Sequence, residues 1–242
     1  MCLLTFLPDG VMPDPDALHH GAEHNPDGHG LAIVAGDRLI VRRGMNPNTM
    51  IDKMVRLRQG HPEGPALFHS RLATHGRRSL ANCHPFPIGG DRRTVLAHNG
   101  ILPRQVQPGR ADPRSDTRIA AEEFHTRFGP AHLARVRDRL EQWITPFNKI
   151  VILTVDPAHP RRAYILNEHA GTWHGGAWYS NHDYQPRPRR PAAGAAGRLS
   201  MELPGECCPR CGEPIDSATA RCPWCWWCPC TGASPFPDDC RC

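Results

Sequence analysis

The chain has 242 residues, of which 39% are hydrophobic, with a formal net charge of +5 and 11 cysteines. This length suits one sizeable domain with an appendage, and no stretch approaches the roughly 18 consecutive apolar residues that a membrane span needs. The mild positive charge permits contact with nucleic acid but does not require it. The opening segment MCLLTFLPDG has no basic start and only a short apolar run, so we expect a cytosolic protein without a signal peptide.

Short apolar strands, turns and helical segments alternate along residues 1–185. Strands are predicted for six runs, which are LLTFL from Leu3, LAIVA from Leu31, RLIVRR from Arg38, PALFHS from Pro65, TVLAH from Thr94 and KIVILTV from Lys149. Apolar residues at helical spacing predict helices over 48–59, 116–128 and 131–143. Residues 168–180 are typical of a closing β-hairpin whose aromatic side chains pack in the core. Because strands come first and helices fill the middle, the order favours a layered α+β fold.

The composition changes after this domain. Residues 186–205 are rich in proline, alanine, glycine and arginine, which is typical of a linker. Residues 206–242 hold nine of the 11 cysteines, and Cys2 and Cys83 are the other two. Clustered cysteines in a cytosolic chain indicate metal binding rather than disulfide bonds.

Cys2 would become the first residue once the initiator methionine is removed, which the small cysteine side chain permits. A terminal cysteine carries a thiol and a free α-amine on one residue. Their ordinary pKa values are about 8.5 and about 7.7–8.0, so the amine can accept the thiol proton at little cost near neutral pH. The pair is therefore a candidate nucleophile with its own base. The alternative is an ordinary buried cysteine near the start of the chain.

Five short motifs follow in the main domain. They are HNPDGHG over 24–30, HSRLATHG over 69–76, NCHPF over 82–86, HNG over 98–100 and SDT over 115–117. Together behind Met-Cys they resemble the class II glutamine amidotransferases, which are N-terminal-nucleophile (Ntn) hydrolases. The resemblance covers residues 2–180 and implies a four-layer αββα sandwich. The chain most resembles the small stand-alone members that bacteria and phages encode. This implies that the protein is located in the cytosol of a bacterium or of a phage-infected host.

The resemblance assigns a role to each candidate residue. Cys2 would attack the side-chain amide of glutamine and form a γ-glutamyl thioester, while the Asn99 side-chain amide and the Gly100 N–H would stabilise the oxyanion. For the zwitterionic head of glutamine, Arg71 would bind the α-carboxylate and Asp116 the α-ammonium group. Thr74 and His75 match the positions that assist Arg71.

Other residues near these motifs are given structural roles. Residues 115–117 are predicted to begin a helix, and Asp116 would also act as the N-cap of that helix. His69, His84 and His98 are interpreted as packing residues, because the family uses no histidine as base, and Cys83 as a buried small hydrophobe. Asn25, Asp27 and Gly28 would shape a loop beside Cys2, with a positive φ at the glycine.

The Cys-rich segment predicts a small zinc-ribbon module. Cys208, Cys211, Cys222 and Cys225 form two CxxC pairs, a spacing typical of one tetrahedral zinc site that is structural in role. A second site could use Cys228, Cys230, Cys240 and Cys242, with free thiols as the alternative. Trp224, Trp226 and Trp227 could bind single-stranded nucleic acid, a protein or one another, and the lack of lysines favours protein docking or packing.

Three functions remain open at this point. The first is a glutamine amidohydrolase that supplies ammonia to a separate synthetase, since no acceptor module is recognisable after residue 185. The second is a hydrolase of another γ-glutamyl amide. The third is a zinc-ribbon adaptor for protein or nucleic acid with a vestigial enzyme domain, which the complete set of site residues disfavours. The reaction itself would need no cofactor.

Overall fold

The computed structural model describes residues 2–74, 76–124 and 133–186, together with the backbone of 206–207 and 214–215. Cys2–Pro186 form one compact unit. Its strands are β1 Leu3–Leu7, β2 His29–Ala35, β3 Arg38–Gly44, β4 Ala66–Ser70, β5 Phe86–Ile88, β6 Asp91–Asn99, β7 Lys149–Thr154, β8 Ala163–Leu166, β9 Thr172–His174 and β10 Ala177–Tyr179. Its helices are α1 Pro15–His24, α2 Pro47–Gly60, α3 Asp116–Glu122 and α4 Leu133–Ile144.

The strands form two antiparallel sheets. The first has the order β3-β2-β4-β1-β10-β9, and the second has the order β5-β6-β7-β8. In the first sheet Leu3 pairs with Ser70 on one side, and Phe6 pairs with Trp178 on the other. The strand that follows Cys2 therefore lies in the interior of the larger sheet.

Three clusters of buried side chains define four layers. One packs α1 and α2 against the first sheet, a second packs α3 and α4 against the second sheet, and a third fills the space between the sheets. The third cluster includes Leu4, Val151 and Trp178, which are all fully buried. A strand that lies between a helix layer and another sheet is apolar on both faces, as all five buried positions of β1 show. The predicted αββα sandwich is confirmed.

The elements missed by sequence analysis are short or weakly apolar. Strands β5 and β8 have three and four residues, too few for a clear periodicity. Helix α1 buries only Ala17, Leu18, Gly21 and Ala22, but it has a clear start signal. The Asp14 carboxylate accepts the Asp16 and Ala17 N–H groups, and Pro15 occupies the first turn.

The start of the helix predicted over 116–128 corresponds to α3, which ends at Glu122. Residues 125–132 lie outside the described residues, as does the start of the helix predicted over 131–143. Among the described helices, none combines the length and hydropathy that crossing a bilayer requires.

Candidate active site

Cys2 lies just before β1, next to the loop that follows β4. The β1–β4 register pairs Leu3 with Ser70, so its continuation places Cys2 opposite Arg71. The Leu72 N–H donates to Cys2 Sγ over 3.4 Å, and Sγ lies 3.5 Å from the Leu72 carbonyl oxygen. Antiparallel pairing thus brings the predicted nucleophile together with the predicted carboxylate-binding residue.

Burial raises the pKa of the Cys2 thiol above its ordinary value. The amino-terminal ammonium of Met1, the Leu72 N–H bond and Arg71 act in the opposite direction, and Asp116 adds to the increase. Both residues predicted to bind the head of glutamine therefore act electrostatically on this thiol. A thiol attacks as its thiolate, so a proton acceptor close to Sγ would assist the attack.

Arg71 is fixed by the backbone on both sides. Its N–H donates to the Gly28 carbonyl over 2.8 Å, its own carbonyl accepts the Asp27 N–H over 2.8 Å, and its Nη1 donates to the Arg77 carbonyl over 3.1 Å. Arg71 as a whole is only 2% exposed. A buried guanidinium held in this way is pre-organised to bind a carboxylate with little loss of rotamer entropy.

Asp27 connects the loop before β2 with the loop after β4. Its Oδ2 accepts the Ala73 N–H over 2.9 Å, and its carboxylate lies 3.2 Å from Arg78 Nε. Thr74 is half-buried in the same loop, and His75 lies outside the described residues. Their predicted assistance to Arg71 stays a prediction.

Gly28 has the positive φ that the motif predicts, at +137°. A Cβ at this position would lie 2.4 Å from Cys83 Sγ, so a larger residue would collide with the buried thiol. Cys83 is fully buried, and its side chain lies near the Ser79 and Gly44 carbonyls and Met45 Sδ. These contacts agree with its interpretation as a packing residue.

Asn99 and Gly100 lie at the end of β6, in the other sheet. The Asn99 Nδ2 donates to Ser180 Oγ over 2.8 Å, and the same hydroxyl accepts the Leu4 N–H over 2.9 Å. Gly100 has a φ of +136°, and a Cβ there would lie 2.2 Å from Asn148 Oδ1. Asn99 is therefore tied through Ser180 to β1, the strand that follows Cys2, and the next position accepts only glycine.

Asp116 is the first residue of α3 and is 6% exposed. Its Oδ2 accepts the Leu102 N–H over 2.9 Å, and its Oδ1 accepts the Thr117 N–H over 2.7 Å. The prediction that Asp116 is the N-cap is wrong, because the Ser115 hydroxyl accepts the Arg118 N–H and caps the helix. Oδ1 also lies 3.3 Å from the Thr117 hydroxyl, whereas Oδ2 retains a lone pair that could accept from an ammonium group.

His98 joins the surroundings of Gly100 to those of Asp116. Its Nε2 lies 2.7 Å from Asn148 Oδ1, which can only accept, so Nε2 carries the proton of the neutral ring. Its Nδ1 then accepts the Thr117 hydroxyl proton over 2.9 Å. Burial lowers the pKa of His98 and keeps it neutral.

His69 and His84 are also buried and neutral. The His69 Nε2 lies 3.0 Å from the His98 carbonyl oxygen, and the two rings of His69 and His84 are 4.0 Å apart. Burial lowers the pKa of His69 to about 3 and that of His84 well below its ordinary value. The structure places all three histidines as packing residues, as predicted.

Sequence analysis missed Ser180 and Asn181, which follow β10. Besides the contacts of Ser180, the Asn181 Nδ2 donates to the Cys2 carbonyl over 3.1 Å. Both residues lie far from Cys2 in the chain, and only the pairing of β10 with β1 brings them close. The predicted hairpin over 168–180 contained Ser180 and ended just before Asn181, but it gave no indication of a contact with the site.

The predicted zinc ligands lie outside the described residues. Two short strands, β11 Glu206–Cys207 and β12 Pro214–Ile215, pair in antiparallel fashion, and the segment that joins them contains Cys208 and Cys211. Within the described part of the chain, no group of three or more potential metal ligands is clustered.

The chain was compared with known proteins. A family model described as "Glutamine amidotransferases class-II" matches residues 17–118, which include Arg71, Asn99, Gly100 and Asp116 but not Cys2. A glutamine–fructose-6-phosphate aminotransferase (isomerizing) of Leifsonia xyli subsp. xyli is 33% identical over 81 residues. That match covers 31% of this chain and 12% of the relative, so the chain corresponds to a small part of that protein.

Solved structures show weaker likeness. Glutamine phosphoribosylpyrophosphate amidotransferase of B. subtilis aligns with a TM-score of 0.46 at 17% identity, over 74% of this chain and 41% of the other. An allosteric regulatory enzyme of purine biosynthesis aligns with a TM-score of 0.49 at 19% identity, over the same shares. The family model alone shows that, over residues 17–118, the chain is similar in sequence to the class II glutamine amidotransferases, the family that its motifs resemble.

Proposed function

We propose that this chain hydrolyses the side-chain amide of glutamine through a γ-glutamyl thioester on Cys2. The observation that carries the proposal is the position of Cys2 opposite Arg71, with the thiol also within the electrostatic influence of Asp116. Free glutamine is a zwitterion, and a site that offers a fixed guanidinium and a carboxylate beside one nucleophile matches both charges of its head.

The reaction would follow from the groups at the site. The thiol of Cys2 transfers its proton to the adjacent free α-amine, and the thiolate attacks the side-chain carbonyl carbon. The C–S bond forms, and the negative charge moves to the carbonyl oxygen, where the Asn99 amide and the Gly100 N–H would donate. Collapse of this oxyanion breaks the C–N bond, and ammonia leaves with the proton from the amine.

Water then attacks the thioester, releases glutamate and returns the proton to the Cys2 thiolate. The same oxyanion donors would act in this second half of the reaction. The α-amine is the proposed base because the contacts of Sγ are with the Leu72 backbone, whereas the buried histidines bond to other partners. Such a base is needed because the thiolate, not the thiol, is the nucleophile.

We infer that the ammonia serves a separate synthetase. Residues 187–242 have the composition of a linker and a Cys-rich module, and such a module could dock this partner. A free thiol nucleophile and a cluster of reduced cysteines both need a reducing compartment, so we place this chemistry in the cytosol of a bacterium or of a phage-infected host.

The Cys-rich segment supports a second proposal, that it binds structural zinc. The Cys208–Cys211 pair lies in the connection between the antiparallel strands β11 and β12, which agrees with the turn of a zinc knuckle. Together with Cys222 and Cys225 it would supply four thiolates, and a segment this small needs metal for its folding energy. A second site would use Cys228, Cys230, Cys240 and Cys242.

Labelling with diazo-oxo-norleucine, followed by intact-mass spectrometry, tests the reaction. We expect one adduct on a chain that lacks Met1, located on Cys2 by peptide mapping, and glutamate release that Cys2→Ala abolishes. The Cys83→Ala variant is the matched control, because it removes the other thiol of the described unit and should keep both labelling and turnover. Retention of Met1 in an active chain, or turnover in Cys2→Ala, would refute the proposal.

A further inference from the structure

Ser180 connects the two halves of the site through a single atom. The side chain is fully buried at the end of β10. Its Oγ is the acceptor for the Leu4 N–H at 2.9 Å and for the Asn99 Nδ2 at 2.8 Å. Leu4 is two residues from the proposed nucleophile, and Asn99 is the proposed side-chain donor to the oxyanion.

The bond to Leu4 replaces an ordinary bond of the β ladder. The Ser180 N–H donates to the Leu4 carbonyl over 2.9 Å, so Leu4 directs both of its backbone groups towards β10. In a regular antiparallel pair, the Leu4 N–H would donate to the Ser180 carbonyl. The structure has the side-chain hydroxyl in that place, and the hydroxyl has a second lone pair that a regular ladder would not direct to Asn99.

The bond to Asn99 restrains a side chain whose other polar atom makes no hydrogen bond among the described residues. Asn99 is fully buried, and its Oδ1 has no hydrogen-bond partner among the described residues. The contact with Ser180 occupies one of the two protons on Nδ2 and leaves the other for a substrate oxygen. Without the hydroxyl, the amide could rotate and present its carbonyl oxygen to the developing negative charge.

Asn181 strengthens the connection on the other side. Its Nδ2 donates to the Cys2 carbonyl over 3.1 Å, so two consecutive residues hold the start of β1. Both residues lie outside residues 17–118, where the chain matches the family model.

We propose that Ser180 is a positioning residue, which fixes the Asn99 amide relative to the start of β1 so that one N–H faces the oxyanion. This inference rests on the proposed glutaminase reaction and deepens it. Ser180 has no direct contact with substrate in this scheme, and it acts only through Asn99. Its removal should therefore affect the rate of the chemical step far more than the capture of glutamine.

A double-mutant cycle tests this role in the full chain. We expect Ser180→Ala to lower kcat about 10-fold to 100-fold with KM within about threefold, because one oxyanion donor is worth about 10²–10³ in kcat. In the Asn99→Ala background, the same substitution should change kcat less than about twofold, since the residue through which it acts is gone. An equal loss in both backgrounds, or no loss in the wild-type background, would overturn the proposal.

Alkylation of Cys2 separates the position of the amide from that of the thiol. Reaction of a thiolate with iodoacetamide forms no oxyanion, so the Cys2 peptide of Ser180→Ala should be labelled at the wild-type rate. A labelling rate that falls together with kcat would mean that Ser180 holds Cys2 rather than Asn99. If the smaller alanine side chain impairs folding, the nearly isosteric Ser180→Cys replaces it as the test. Its sulfur is a weak acceptor, so this variant should show the loss of kcat expected of Ser180→Ala.

Thr94→Val is the matched control. It removes a buried hydroxyl at the opposite end of β6, where Thr94 Oγ1 lies 2.7 Å from Thr154 Oγ1, and should leave kcat within about twofold. If the wild-type chain releases no glutamate, the proposed function fails. The contact itself is then tested by NMR, where Ser180→Ala must shift the Asn99 side-chain amide signal and Thr94→Val must not.

Discussion

Acid should destabilise this fold through its buried histidines. His29 and His69 are both fully buried, and burial lowers their pKa to about 4 and about 3. One nitrogen in each ring, His29 Nε2 and His69 Nδ1, has no hydrogen-bond partner among the described residues. Protonation would therefore place a charge in the core that no hydrogen bond at that nitrogen compensates.

The sign and size follow from proton linkage. In the unfolded chain a histidine titrates near pH 6.5, so below that pH the unfolded state binds protons that the folded state excludes. Stability is complete above about pH 7 and is lost progressively as the pH falls towards the folded values of about 4 and 3. From pH 8 to pH 5 the loss is about 2 kcal/mol for each ring, hence about 4 kcal/mol for the pair. His84 and His98 add to it in the same direction.

Urea unfolding followed by circular dichroism at pH 8 and pH 5 measures this loss. His29→Asn should lower stability at pH 8 but reduce the difference between the two pH values by about 2 kcal/mol, because one titrating ring is gone. His174→Gln, which replaces an exposed histidine on β9, should leave the difference unchanged. An unaltered pH difference in His29→Asn would refute the assignment of His29 as a buried neutral group.

Two further predictions concern binding. Arg71→Lys should raise KM for glutamine about 10-fold to 100-fold with a smaller change in kcat, because an ammonium cannot form the bidentate contact. The control is Arg78→Lys on the same loop, whose side chain is 61% exposed and which should leave KM within about twofold. Equal KM values for the two variants would contradict the role of Arg71. Elemental analysis of the purified chain should find one or two zinc ions. Cys208→Ser should lose one zinc ion, and the control Cys83→Ser should lose none. A purified chain without zinc would contradict the zinc-ribbon proposal.

Much of the main domain could be predicted from local patterns. All six predicted strands are present, and those beginning at Leu3, Arg38 and Lys149 start at the predicted residue. The predicted helix over 48–59 corresponds to α2, Pro47–Gly60. These elements have enough residues for apolar periodicity to be visible. The errors are in elements with weak periodicity and at the start of α3, where Ser115 and Asp116 are both good capping residues and only the backbone geometry distinguishes them.

The sequence by itself determined which residue types the site would contain, because the motifs around Arg71, Asn99 and Asp116 are contiguous strings at strand ends and a helix start. Only the tertiary structure decided how they are held. The contacts of Ser180 with Leu4 and Asn99 span 176 and 81 residues of the chain. The physical reason is that local propensity depends on neighbours in sequence, whereas these hydrogen bonds depend on how two sheets meet. No local sequence pattern predicts the hydrogen-bond partners of a buried hydroxyl at the end of a short strand.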